Sequence, residues 1–351
     1  MLTAMKKIYR GENNYDFVAG GSRVLMAAGA IVLVSVIALF TRGLDLGIEF
    51  DGGAVWEVPA TGQLSEDDMR AVMTSEGLAD ARVQRVSGGD DTFRVRAELD
   101  DTARRDEVAA ALADRAGVDV VDVSTRTVSP SFGDAVAGKA RRALVVFFII
   151  IAIYLTLRFE WRMAAGALVA VAHDIVASVG MYSLLGIEVT PSTVVAFLTI
   201  MGYSLYDTIV VFDRLRVNTR ALSTKSRVTY PDLANVSMNQ MLVRSINTSL
   251  TSVLPVLSLL IVGSLMLGAS SLEEFAIALL VGIVFGSASS LFVAMPIVVW
   301  LKGREHHWQE RLDGAKTAGA SESLSGARQS VAAEHYGRSQ TPRPRKQGKR
   351  R

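Results

Sequence analysis

Six stretches of this chain are apolar over nearly the length that crosses a bilayer: Val24–Phe40, Ala143–Leu157, Met163–Leu185, Thr193–Phe212, Ser245–Leu267 and Phe275–Trp300. A helix rising about 1.5 Å per residue needs about 20 such residues to span the hydrocarbon. Between the first two stretches the pattern changes. AVWEVPA (Ala54–Ala60) reads as a strand, and SEDDMRAVMTSEGL reads as a helix with Ser65 and Asp68 at capping-box spacing. ARVQRVS and TFRVRAEL alternate with period two around Gly88-Gly89-Asp90, which predicts a hairpin. DDTARRDEVAAALADRAG predicts a second helix ending at Gly117, and VDVVDVSTRTV a last strand. The order βαββαβ is that of a split βαβ, ferredoxin-like unit.

The expected fold is therefore a polytopic α-helical membrane protein of six transmembrane helices. One extracytoplasmic α+β domain lies between helices one and two. Its parts are an amino-terminal cytoplasmic segment (1–22), a first crossing (23–42), the domain (43–138) and a five-helix bundle (139–301) with a cytoplasmic loop at 213–242. A basic cytoplasmic tail (302–351), ending in TPRPRKQGKRR, has the composition of a disordered segment. The sidedness comes from lysine and arginine in the short loops. Lys6, Lys7, Arg10 and Arg23 precede the first crossing, Arg158 and Arg162 join the second to the third, and Arg214, Arg216, Arg220, Lys225 and Arg227 follow the fourth. Gly186–Ser192 and Gly268–Glu274 have none, so both termini are expected inside the cell membrane. Lys139, Arg141 and Arg142 break the rule and are read as snorkelling into headgroups.

Composition narrows the chemistry. Half of the residues are hydrophobic and the formal charge is +2, which is no polyanion-binding signal, so no nucleic acid is expected as a partner. Cysteine is absent, which excludes disulfides, thiolate metal sites and cysteine nucleophiles. The external unit offers no histidine cluster, phosphate loop or nucleophile with a base; no metal, cofactor or catalytic residue is expected.

Charges inside apolar stretches are the informative exceptions, because each costs a few kcal/mol or more on insertion. Asp207 lies in the inner half of the fourth stretch, with Tyr203 one turn before it and Gly202 beside it to admit a neighbouring helix. Arg244 begins a polar stripe on the fifth with Thr248, Thr251 and Pro255. His173 and Asp174 fall mid-span in the third and suit either a structural hydrogen bond or a proton relay. Asp213, beside Arg214 at the inner exit, is read as wetted and locally paired. Ala278, Gly282, Gly286 and Ser290 form a small-residue packing stripe. Asp207 with Arg244 suits a static pair that fixes helix register, or a switch in which protonation of the acid frees the arginine. One proton falling through about 100 mV delivers about 2.3 kcal/mol, enough to shift a two-state equilibrium about fiftyfold.

At these residues the chain resembles the SecD/SecF family of protein-export proteins, on its SecF side, within the resistance-nodulation-division superfamily. GLDLGIEFDGG is similar to the family pattern at Gly47, Phe50, Gly52 and Gly53. GYSLYDTIVVFDRLRVN, NVSMNQMLVRSINTS, VGIVFGSASSLFVA and the His173-Asp174 pair also agree. The resemblance implies a half-bundle completed by a SecD-like subunit and associated with the SecYEG channel, with SecA and YajC as indirect partners. It further implies use of the proton motive force on a translocating polypeptide, with Asp207 and Arg244 on the proton path. Membrane lipid is the remaining expected partner. Two other functions compete with it. An exporter of small molecules or lipids usually carries two large external domains and twelve helices. An intramembrane aspartyl protease using Asp174 with Asp207 would need a GxGD pattern, and the residues before Asp207 are Gly-Tyr-Ser-Leu-Tyr.

Overall fold

The computed structural model describes residues 15–18, 20–61, 64–86, 91–99, 101–221, 228–266 and 270–317. The expected Gly88-Gly89-Asp90 turn, the basic residues Lys6, Lys7, Arg10, Lys225 and Arg227, and the tail beyond 317 lie outside them.

Helix α1 (Gly21–Arg42) leads into a two-residue strand β1 (Asp45–Leu46), a single helical turn α2 (Ile48–Asp51) and strand β2 (Gly53–Pro59). Helix α3 (Glu66–Ser75) starts at a complete capping box: the Asp68 amide donates to the Ser65 hydroxyl, and Asp68 accepts from the Ser65 amide. Ser65 and Arg115 hold the Asp68 carboxyl below the usual carboxylate range. Strands β3 (Arg82–Val86) and β4 (Thr92–Ala97) pair antiparallel, as their alternation predicts. Helix α4 (Thr102–Ala116) is capped by Asp101 and closed by left-handed Gly117. Strand β5 (Ser124–Val128) is shorter than expected, because Val120–Asp122 before it form a 3-10 turn. The antiparallel sheet runs β3-β4-β2-β5. Ala54, Trp56, Val58, Phe93 and Val95 point from it into one core with Met69, Met73, Val108 and Leu112 of the two helices.

Among the described residues, six helices are long and apolar enough to cross a membrane. After α1 come α5 (Pro130–Arg158), α6 (Trp161–Leu185), α7 (Pro191–Ala221) and α8 (Tyr230–Leu260). The last is a rod of α9 (Ser270–Ser289), a π-helical segment (Ser290–Ala294) and α10 (Met295–Lys302). A short strand β6 (Glu188–Val189) lies between α6 and α7, and α11 (His306–Thr317) follows the rod. Two expected boundaries move. Helix α5 begins at Pro130, so residues 130–138 belong to the membrane rod; proline at its first turn needs no amide partner. Most of the expected loop at 213–242 is helical, because α7 runs to Ala221 and α8 starts at a second capping box on Thr229 and Asp232.

The core windows of α6, α7 and the α9–α10 rod are 44%, 50% and 56% buried, against 11%, 6% and 6% for α1, α5 and α8. The first three therefore form the centre and the others its flanks. Small residues set the close approaches: a Cβ on Gly180 of α6 would collide with Ser35 on α1.

The Ile48–Asp51 turn that leads into the sheet packs on the bundle at a separate apolar centre of Phe50, Tyr182, Val189, Ala196 and Ala278. Strand β1 pairs parallel with β6 above it. Burial pushes the Glu188 carboxyl up, against the pull of Arg96 beside it. The packed junction thus binds that proton more tightly than an unpacked one. Stability from this group is fully present below the ordinary carboxylate range and lost as pH rises through the elevated value. Glu188→Gln is therefore expected to melt higher than the unsubstituted protein at pH 8 and to lose that advantage as pH falls below the ordinary carboxylate range. A constant gap between the two melting temperatures over that whole descent would remove the assignment.

Candidate functional site

A connected band of acids and hydroxyls runs through the largely apolar centre of the bundle. Asp174 on α6 is 3% exposed. Its Oδ2 accepts from Ser204 Oγ on α7 (2.6 Å) and Ser289 Oγ on α9 (2.7 Å), while its Oδ1 lies 3.2 Å from His173 Nδ1. Thr208 Oγ1 donates to Ser290 Oγ at 2.9 Å, and Ser290 Oγ donates in turn to the carbonyls of Ser204 and Gly286. Three helices are stitched together by groups that, left unbonded in hydrocarbon, would each cost several kcal/mol. The π-helical segment starts at Ser290, where a widened turn aims consecutive hydroxyls at α6 and α7.

Asp207, 5% exposed, sits one helical position before Thr208 and turns the other way, toward α8. Its Oδ2 accepts a short hydrogen bond from Ser245 Oγ. Arg244 precedes Ser245, so the helical period sets its side chain about 100° around α8. It is exposed, and its Nη2 donates to the Tyr206 hydroxyl at 3.1 Å. The direct Asp207–Arg244 pair expected from sequence is thus not formed: serine takes the acid, and the arginine faces out of the bundle. Asn247 and Thr251 are exposed on the same flank as Arg244, and half-exposed Tyr206 adjoins it.

The other expected residues divide. The Tyr203 hydroxyl is buried without a hydrogen-bond partner, as is His173 Nε2. Thr248 donates to the Arg244 carbonyl of its own helix. Asp213 pairs at the surface with Arg158, 3.3 Å away, while neighbouring Arg214 reaches Gln240. A Cβ on Gly282 or Gly286 would run into Ile200 or Ser204 of α7, whereas one on Gly202 meets nothing within 4 Å, so Gly202 marks no close helix approach. In the segment Gly47–Gly53, a Cβ on Gly47 would meet Glu49 and Glu188, Phe50 enters the junction core, and Gly52 and Gly53 both take positive φ. Ser245, Ser289 and Thr208 are hydrogen-bonding partners that sequence reasoning did not single out, and Ser290 was read there only as a packing residue. The available signal was hydroxyl residues one helical turn from, or adjacent to, the small residues of facing spans.

Comparison with known proteins gives a consistent result. The family described as protein export membrane protein SecD/SecF, C-terminal, matches residues 107–304. Protein translocase subunit SecF of Streptomyces coelicolor is 41% identical over 299 residues, covering 85% of this chain and 80% of that protein. SecF of Rhodothermus marinus is 35% identical, over 83% of this chain and 94% of its own length. The crystal structure of SecDF, a translocon-associated membrane protein from Thermus thermophilus, superposes with a TM-score of 0.75 at 33% identity, over 84% of this chain and 39% of that longer one. With its six apolar helices and the match across the segments that hold Asp174, Asp207 and Arg244, this chain belongs to the SecD/SecF family, among its SecF members, and is a multi-pass membrane subunit of the bacterial Sec protein-export machinery.

Proposed function

We propose that this chain is the proton-responsive half of a two-part device, completed by a SecD-like subunit, that draws on the proton motive force to assist late steps of polypeptide translocation. The observation that carries this reading is the outward face of α8. Arg244, Asn247 and Thr251, with Tyr206 beside them, present a guanidinium and hydrogen-bonding groups from a helix whose apolar window this chain hardly buries, although its first half packs inside. Such groups in hydrocarbon need a protein partner, and an arginine in particular needs an acid. Asp207 lies just behind that face, joined to it through Ser245. When Asp207 is ionised it accepts a charge-assisted bond from the serine hydroxyl; once protonated that bond loses its charge, and the carboxyl gains an O–H that must find an acceptor of its own. A proton thereby changes the joint between α7 and α8 while Arg244 sits on the next residue against the partner.

In this reading the antiparallel unit, whose strand order suits a ferredoxin-like fold, lies outside the membrane and handles polypeptide. Both termini are cytoplasmic, and SecYEG is the channel served, with SecA and YajC indirect. The chain performs no covalent chemistry; Asp174 and Asp207 hold separate hydroxyl partners rather than sharing a site. The part of Thermus thermophilus SecDF that this chain does not cover supports a separate partner supplying the rest. Purification from native membrane is expected to recover a SecD-like subunit, and Arg244→Met to reduce its yield at least tenfold without loss of the inserted chain. Recovery of the chain alone, or full yield with Arg244→Met, would remove the partner acid from the scheme.

A further inference from the structure

Asp45 and Glu188 face each other as register partners of the parallel β1–β6 pair, so two carboxylates stand side by side. Like charges opposed on paired strands repel unless a cation bridges them. Arg96 is that cation. Its Nη2 donates to Asp45 Oδ1, and its Nη1 donates to Glu188 Oε1 and the Leu46 carbonyl, both at 2.6 Å. Arg82 also pairs with Asp45. Two residues along the same face of β4, Arg94 reaches Glu57 on β2 at 3.3 Å and Glu274 in the first turns of α9 at 3.6 Å. The two arginine side chains are only 14% and 18% exposed. Phe93, Val95 and Ala97, alternating with them, point into the core of the α+β unit. One strand thus fixes the sheet with one face and grips the bundle with the other.

The gripped points are informative. Asp45 continues α1, Glu188 lies in the turn between the helices of Asp174 and Asp207, and Glu274 starts the helix of Ser289 and Ser290. A guanidinium fork holds each in fixed geometry, which a lysine would not. We propose that Arg96, with Arg94 beside it, is the positioning residue that makes the α+β unit follow the outer ends of α6, α7 and α9, so that a proton-driven shift at Asp207 reaches the unit that handles polypeptide. This rests on the proton-driven reading above and adds the residues that transmit it.

The test separates coupling from folding. Arg96→Met alone strands Glu188 and is expected to lower the melting temperature. Arg96→Met combined with Glu188→Met removes both groups and leaves Asp45 with Arg82; exchange of a buried pair for apolar residues is often neutral. The full chain, with its partners in native vesicles, is expected to melt and resist protease as the unsubstituted protein does. Proton-driven export nevertheless falls at least fivefold. The chain has no native cysteine, so one placed at Leu254, on the α8 flank turned toward the partner, reports on that membrane joint. Its pH-dependent reactivity is expected to stay within twofold of that in the unsubstituted background. Arg96→Lys recovers export only in part. Unreduced export in the folded double variant overturns the proposal, and so does loss of the pH-dependent reactivity. If the double variant melts low, Arg94→Met with Glu274→Met carries the same test with the same outcomes. Export that is unchanged by Asp207→Asn would instead remove the proton-driven reading itself, whatever Arg96 does.

Discussion

Asp207→Asn is expected to leave the protein inserted, folded and complexed while proton-dependent export falls at least a hundredfold. The amide is close to isosteric with the acid and still accepts from Ser245 Oγ, so the α7–α8 joint stays closed. What it cannot do is take up a proton, and the rearrangement that protonation would drive is then absent. The loss should appear as export insensitive to a collapsed proton gradient, with melting temperature within a few degrees of the unsubstituted protein. Exchange of the two charges, Asp207→Arg with Arg244→Asp, is expected to give no rescue, because the two side chains hold different partners and face different neighbours. Rescue by that exchange would restore the static-pair reading. Unchanged export by Asp207→Asn would end the proton-path assignment.

The two results need not move together with Asp174. That acid accepts from hydroxyls on two other helices and faces a histidine whose second nitrogen is buried without a partner. It ties the central helices to one another, whereas Asp207 ties the centre to the exposed flank.

These distinctions mark where sequence reasoning stops. Six crossings were legible because their length and apolar content are one-dimensional properties. The caps of α3 and α4 were legible because each acts within a few residues: Ser65 with Asp68, and Gly117 on the last turn before it. The β1–β6 pair was not: two-residue strands carry no period, and their partners are brought together only by the packing of α1 on α6. Placing Asp207 and Arg244 in the same region was possible from hydropathy. Which face of α8 turns inward was not, since Arg244 and Ser245 are neighbours and both polar. Only the position of α7 decides that the serine takes the acid. The early start of α5 is likewise a tertiary matter, for Gly133 lets that helix pass the Phe50 carbonyl, which a Cβ there would strike.

The glycines that begin β2 are expected to be as sensitive as any residue in the chain. Gly53 has φ +116°, and a Cβ there would lie 2.6 Å from the Ala97 carbonyl oxygen on β4. A side chain meets two penalties at once. Strain at that φ costs about 1–3 kcal/mol, and forcing backbone away from a packed strand costs about 1–3 kcal/mol more. Ala54↔Ala97 opens the β2–β4 ladder, so the displacement falls where Arg96 grips Asp45 and Glu188. Gly53→Val is therefore expected to destabilise the α+β unit by about 2–6 kcal/mol, a large share of the 5–15 kcal/mol typical of a domain. Faster proteolysis within β2–β4 and faster hydrogen exchange of their amides would register it, together with lowered export. Gly43→Ala is the control: φ +71° with ψ −166° is a conformation glycine alone adopts readily, but nothing lies within 4 Å, leaving only about 1–3 kcal/mol of local strain. Equal effects of the two substitutions would mean that conformation alone matters, and that the close approach of β2 to β4 contributes nothing to holding the sheet on the bundle.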